Sequence, residues 1–90
     1  MNDNEQNLFR HAVLRVLLAG DCTVGLRACA VRVGCQTIGF PRATDAETLE
    51  QIEYLANHGF VAEVPNNLTR VLRAWRISES GRRYCDAQGL

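Results

Sequence analysis

Thr44-Asp45-Ala46-Glu47-Thr48-Leu49-Glu50-Gln51-Ile52-Glu53-Tyr54-Leu55-Ala56-Asn57-His58-Gly59-Phe60-Val61 carries both ends of a helix in its own letters. Thr44, with Glu47 three residues on, forms a capping box in which the threonine takes an orphan N–H and the glutamate reaches back. Asp45 and Glu47 add negative charge where the helix dipole favours it. Leu49, Ile52, Leu55 and Ala56 recur at helical spacing and predict the buried stripe. Asn57-His58-Gly59 supplies the stop, since Gly59 can take the left-handed conformation and Phe60 can make the apolar contact that follows it.

Downstream of this helix, Phe60 to Val64 and Arg70 to Ile77 read as two strands joined by the turn chemistry of Pro65-Asn66-Asn67. Period two places Val71, Arg73, Trp75 and Ile77 on one face, with Trp75 and Ile77 as core contributors and Arg73 nearer the exposed tip. Arg70, Leu72, Ala74 and Arg76 take the other face. Ser78 caps a last helix, Glu79 to about Ala87, with Tyr84 and Cys85 turned inward. Gln88-Gly89-Leu90 is expected to fray.

Upstream, a first helix is predicted from about Glu5 to Ala19, capped by Asp3 or Asn4 and ended by Gly20. Phe9, Val13, Val16 and Leu17 form its core face. Leu14 and Leu18 widen that face, which fits either central burial or a dimer seam. Asp21 to Val24 is a connector. A second helix is predicted over Gly25 to Val33, with Leu26, Cys29, Ala30 and Val33 inward and Gly34 closing it. Cys35 to Ala43, with Gly39 and Pro41, has loop chemistry, pinned to the core by Ile38 and Phe40.

The chain has 90 residues, 47% apolar and 22% charged, with ten basic and ten acidic side chains cancelling. That is the composition of one globular domain, its core spanning about residues 5–87. Zero net charge argues against a strongly basic nucleic-acid module. No stretch approaches the roughly 18 apolar residues that span a bilayer, and the polar, acidic start is unlike a secretory signal, so a cytoplasmic protein is expected. Cys22, Cys29, Cys35 and Cys85 form no C-x-x-C pair, and neither His11 nor His58 supplies ligand spacing. Free thiols and no metal are expected. No nucleophile elbow, zinc-protease helix or phosphate-binding glycine loop is present. The chain is therefore expected not to be an enzyme, with no catalytic residue, no cofactor and no small-molecule substrate.

The order helix, helix, capped helix, hairpin, helix resembles a winged helix-turn-helix domain. That is a mainly α fold with a small β-hairpin (α+β): a three-helix core, a two-stranded wing and a C-terminal helix. Leu55-Ala56-Asn57-His58-Gly59-Phe60-Val61 is similar to the junction by which these domains enter the wing. Ala74-Trp75-Arg76-Ile77-Ser78-Glu79-Ser80-Gly81-Arg82 is similar to their passage from strand to helix, aromatic-x-hydrophobic-Ser/Thr-x-x-Gly-Arg. The resemblance covers about Leu8 to Cys85. At closer range the chain resembles small winged-helix proteins of Mu-like phages and prophages.

That resemblance implies double-stranded DNA as partner, a role in transcription regulation and a homodimer. The third helix would enter the major groove and the wing would lie on the backbone. Arg70, Arg73 and Arg76 would meet phosphates, with Asn66 and Asn67 at the wing tip. Arg42 and Thr44 would touch backbone at the start of the third helix, and Gln51 and Tyr54 would read the groove. Charge divides along the chain: Val64 to Leu90 carries five arginines against Glu79 and Asp86, whereas residues 42–63 set five acids against Arg42 alone. Carboxylates on a groove-facing helix repel phosphate. The alternative is a protein-interaction module, a homodimer or adaptor, that uses Glu47, Glu50 and Tyr54 on the third helix and does not bind DNA.

Overall fold

A computed structural model describes residues 2–20, 24–64 and 73–90. It is mainly helical, with the order α1 (Asp3–Ala19), α2 (Ala28–Thr37), α3 (Asp45–Asn57), β1 (Val61–Val64), β2 (Ala74–Ile77) and α4 (Glu79–Gln88). β1 and β2 pair antiparallel, Val61 opposite Ile77 and Val64 opposite Ala74, so the architecture is α+β. The expected turn Pro65-Asn66-Asn67, and Arg70 to Leu72 of the second expected strand, lie outside the described residues. No helix among the described residues is long and apolar enough to cross a membrane.

α1 begins two residues earlier than expected. Its cap is Asn2, whose side-chain oxygen accepts from the Glu5 N–H at 2.8 Å, rather than Asp3 or Asn4. Phe9, Val13 and Leu17 are buried as expected, joined by Ala12 and Leu14, while Val16 is half-buried. Gly20 ends the helix without a left-handed turn, at φ −100°.

α2 departs most from its expected course. It starts at Ala28, runs through Gly34 and ends at Thr37, so Cys35 to Thr37 is helix rather than loop. Its buried residues are Val31 and Cys35; Cys29, Ala30 and Val33 face outward. Two tertiary contacts account for this. Leu26 is drawn into an extended rung on β2: its N–H donates to the Trp75 carbonyl at 2.8 Å, and the Trp75 N–H donates to its carbonyl at 2.9 Å. Helix cannot begin until that rung ends. Gly34 does not stop the helix but lets α1 approach, because a Cβ there would stand 2.7 and 2.8 Å from the two Val16 methyls. Of the two expected pins in the following loop, Phe40 packs edge-on against Phe9 with centroids 5.0 Å apart, whereas Ile38 is exposed.

α3 has the expected cap, with the Thr44 hydroxyl oxygen accepting from the Glu47 N–H at 3.2 Å. Its end is also as expected: Gly59 has φ +79°, and the Phe60 N–H closes on the Leu55 carbonyl at 2.9 Å. The buried stripe is Thr48, Gln51, Ile52 and Leu55, with Leu49 only half-buried. At 100° per residue this turns the inward face by about 60° from the expected stripe.

Ser78 caps α4 by accepting from the Gly81 N–H at 3.0 Å, and its hydroxyl donates to the Gly59 carbonyl at 2.6 Å. One side chain thus joins the end of α3 to the start of α4. The far end is capped. Gly89 is left-handed, and the Leu90 N–H donates to the Cys85 carbonyl at 2.8 Å, the closure of a Schellman motif. All four helices and both strands send side chains into one apolar cluster that includes Phe9, Leu17, Val31, Ile52, Trp75 and Cys85.

Candidate functional site

The expected contact residues that the structure describes fall into three groups, at the start of α3, within α3 and on or beside β2. Asn66, Asn67 and Arg70 lie outside the described residues. Arg42 and Thr44 stand at the start of α3. Arg42 is exposed, but the Thr44 hydroxyl is engaged twice by Glu47, accepting from its N–H and donating to its carboxylate at 3.0 Å. Arg73 and Arg76 lie on or beside β2, where Arg76 is half-buried opposite Ala62.

The rotation of α3 changes its outward face. Ala46, Glu50, Glu53 and Asn57 are all exposed and fall within a narrow angular range about the helix axis. Glu47 is half-buried at the cap. Gln51, expected as a groove reader, is buried, and its carbonyl accepts from Arg10 Nε at 2.7 Å. It holds α3 to α1 and presents little to solvent. Tyr54 is 40% exposed, but its ring is covered on the α1 side, with the Arg10 guanidinium carbon 3.8 Å from its centroid.

Arg73 is bound by two carboxylates. Its Nη2 donates to Glu63 on β1 at 2.8 Å and its Nη1 to Glu53 on α3 at 3.2 Å. The guanidinium also sits over the Trp75 indole, 4.9 Å from the ring centroid. The Arg73 hydrogen bond holds the Glu63 carboxyl below the usual glutamate range. The clamp ties the strand pair to the outward face of α3, and its two acids outnumber its one base.

Descriptions of protein families, curated proteins and solved structures give no match to this chain.

A second constellation lies between α1, α3 and α4. His11 Nε2 is 2.8 Å from the Tyr84 hydroxyl, Tyr84 stacks on Phe60, and Tyr54 stacks on His58 at 4.2 Å. These groups surround a cavity of about 110 Å³ floored by Leu14 and Leu55. Tyr54 and His58, four apart on one helix, could have been paired from sequence. Arg10 with Gln51 and His11 with Tyr84 join residues 41 and 73 positions apart, and no local signal announces either. Arg27, exposed immediately before α2, was also hidden, because the expected start of that helix lay upstream of it.

Of the cysteines, Cys35 and Cys85 are buried free thiols, Cys29 is exposed, and Cys22 lies outside the described residues. Burial pushes the Cys35 thiol up to about 11. Among the described residues no group of His, Cys, Asp and Glu is arranged to hold a metal ion.

Proposed function

We propose that the chain is a winged-helix domain, with α3 in the place of the recognition helix and β1–β2 at the base of the wing. We further propose that it serves as a protein-interaction module rather than a reader of duplex DNA. The Glu53–Arg73–Glu63 clamp is the observation that carries this reading. A wing arginine that would neutralise phosphate instead neutralises the protein's own acids, on the surface a groove-binding helix would present. Glu50, with the one charge that a single arginine leaves over from two clamp carboxylates, then leaves that surface negative. Duplex DNA carries one negative charge per roughly 1.7 Å of axis, and each carboxylate set against it opposes binding. A basic partner surface fits the same face, by the charge complementarity that steers protein association.

The test sets two partners side by side. Heteronuclear NMR of the wild-type chain should show α3 amides moving on addition of an arginine-rich peptide at about 50 mM salt. Glu50→Arg should abolish those shifts, and Glu79→Gln, on α4, should leave them. Random duplex should produce no retardation under the same conditions. Retardation that weakens steeply with added salt would overturn the proposal and favour the DNA-binding regulator. One observation favours that second reading: Arg27 and Arg42 stand exposed at the N-terminal ends of α2 and α3, with no ion pair among the described residues. Arg27→Ala with Arg42→Ala would then weaken binding to all duplexes alike.

A further inference from the structure

Arg10 is set differently from six other arginines among the described residues, Arg15, Arg27, Arg32, Arg42, Arg73 and Arg83. Among the described residues, ion pairs tie Arg32 to Asp45, Arg73 to Glu53 and Glu63, and Arg83 to Glu79. Arg15, Arg27 and Arg42 make none, and they are exposed to water. Arg10 also makes none, yet it is half-buried. Its partners are neutral amide oxygens: Gln51 at 2.7 Å from Nε, Asn7 at 3.2 Å from Nη1 and Gln6 at 3.5 Å from Nη2. These take three of the five guanidinium N–H groups and leave the charge with no counter-ion among the described residues. A partly desolvated cation held in this way attracts an anion.

The cavity beside Arg10 is built to receive one. Asn7, His11, Tyr54, His58 and Tyr84 line it with Arg10, and among the described residues no carboxylate does, in a chain with ten acids. His58 Nδ1 is 2.9 Å from the Tyr54 carbonyl, which can only accept, so the proton on that ring sits at Nδ1 and Nε2 is left for other chemistry. The size sets an upper limit on the ligand. A cavity of about 150 Å³ holds one benzene ring, so about 110 Å³ with an open mouth admits an anionic head group and not a nucleotide.

We propose that the cleft between α1, α3 and α4 is an oxyanion-binding site in which the Arg10 guanidinium receives a carboxylate or phosphate group. The remaining Nη hydrogens suit the two-oxygen edge that both groups present. The Tyr54–His58 stack supplies an aromatic wall on the α3 side, and Tyr84 supplies one on the α4 side.

The experiment is a pair of titrations of the isotopically labelled chain, with sodium benzoate and with sodium phosphate, at ionic strength held constant with sodium chloride. Saturable shifts centred on Arg10, His11, His58 and Tyr84 are expected, with dissociation constants below about 20 mM. Saturation by benzoate alone assigns a carboxylate ligand, by phosphate alone a phosphorylated one, and by both a site for the shared head group. Asn7→Asp places a carboxylate beside the guanidinium, supplies the missing counter-ion and should weaken binding by about ten-fold or more. It should keep a dispersed spectrum, since it adds an attraction and removes no packing. Arg10→Gln should weaken binding at least as much. No saturable shift with either anion, or shifts that survive both substitutions, would overturn the proposal.

Discussion

Replacing Gly81 by alanine tests how α4 is seated. Gly81 is buried in the first turn of that helix, where the backbone passes the end of α3. A Cβ at this position would lie 2.1 Å from the Phe60 carbonyl oxygen and 2.7 Å from Ile77 Cγ1. Real Cβ contacts essentially never fall below 3.0 Å, so α4 must back away by about 1 Å. The obstacle is main chain, fixed in turn because the same carbonyl accepts the Ser78 N–H at 3.0 Å. Overpacking against so unyielding a neighbour falls at the upper end of its range, about 3 kcal/mol. Exchange of glycine for alanine in a helix returns about 1 kcal/mol, leaving a net loss of about 2 kcal/mol. In a domain of this length each kcal/mol lowers the melting temperature by about 4–8 °C. Gly81→Ala should therefore melt roughly 8–16 °C below wild type by circular dichroism. Ser80→Ala, on the exposed neighbour, should stay within about 0.5 kcal/mol. A Gly81→Ala protein that melts at or above wild type would refute the account of how α4 meets the Phe60 carbonyl.

Other consequences can be measured separately. Trp75 is 2% exposed, and Trp75→Ala should cost about 3–5 kcal/mol, a large share of a total near 5–15 kcal/mol, read by urea denaturation. With Cys22 replaced by serine, a thiol reagent at about pH 8 should modify Cys29 rapidly, and Cys35 and Cys85 only on unfolding, because burial raises both of their thiols. Glu63 has a lowered carboxyl in the folded state. Its contribution is therefore present above the ordinary glutamate range and disappears as pH falls through the lowered value. Wild type should out-melt Glu63→Gln at neutral pH, and the gap should close on acidification. A gap that grows with acid would contradict the clamp.

Local chemistry made several elements legible from the letters alone. Thr44 with Glu47, Ser78 with Gly81, and Gly59 each announce a helix end through hydrogen bonds spanning three to five residues, and each stands where it was expected. Alternation placed Trp75 and Ile77 inward, because a two-residue period leaves one choice of face. The face of a helix is less constrained. Gln51 reads as a polar surface residue until Arg10 arrives from α1 to satisfy it, and that partnership lets the inward side of α3 turn away from Leu49. In α2 the glycine taken as a terminator is a contact point for Val16, and the apparent first turn is claimed by Trp75. Both errors come from tertiary partners overriding local preference. The clamp on Arg73 belongs to the same class, since Glu53 lies 20 positions away from it.

The rung between Leu26 and Trp75 removes a joint from the molecule. β2 is held on one edge by β1 and on the other by the residue that precedes the entry to α2, and Gly25, at φ +76°, fits there because any Cβ would strike Val64 and the Trp75 carbonyl. A partner that tilts the hairpin must therefore break two backbone hydrogen bonds or carry the head of α2 with it. The strand pair and the second helix are thereby two arms of one lever. Force applied to the strand pair reaches the head of α2 through this rung, alongside the path into α3 through the Arg73–Glu53 pair.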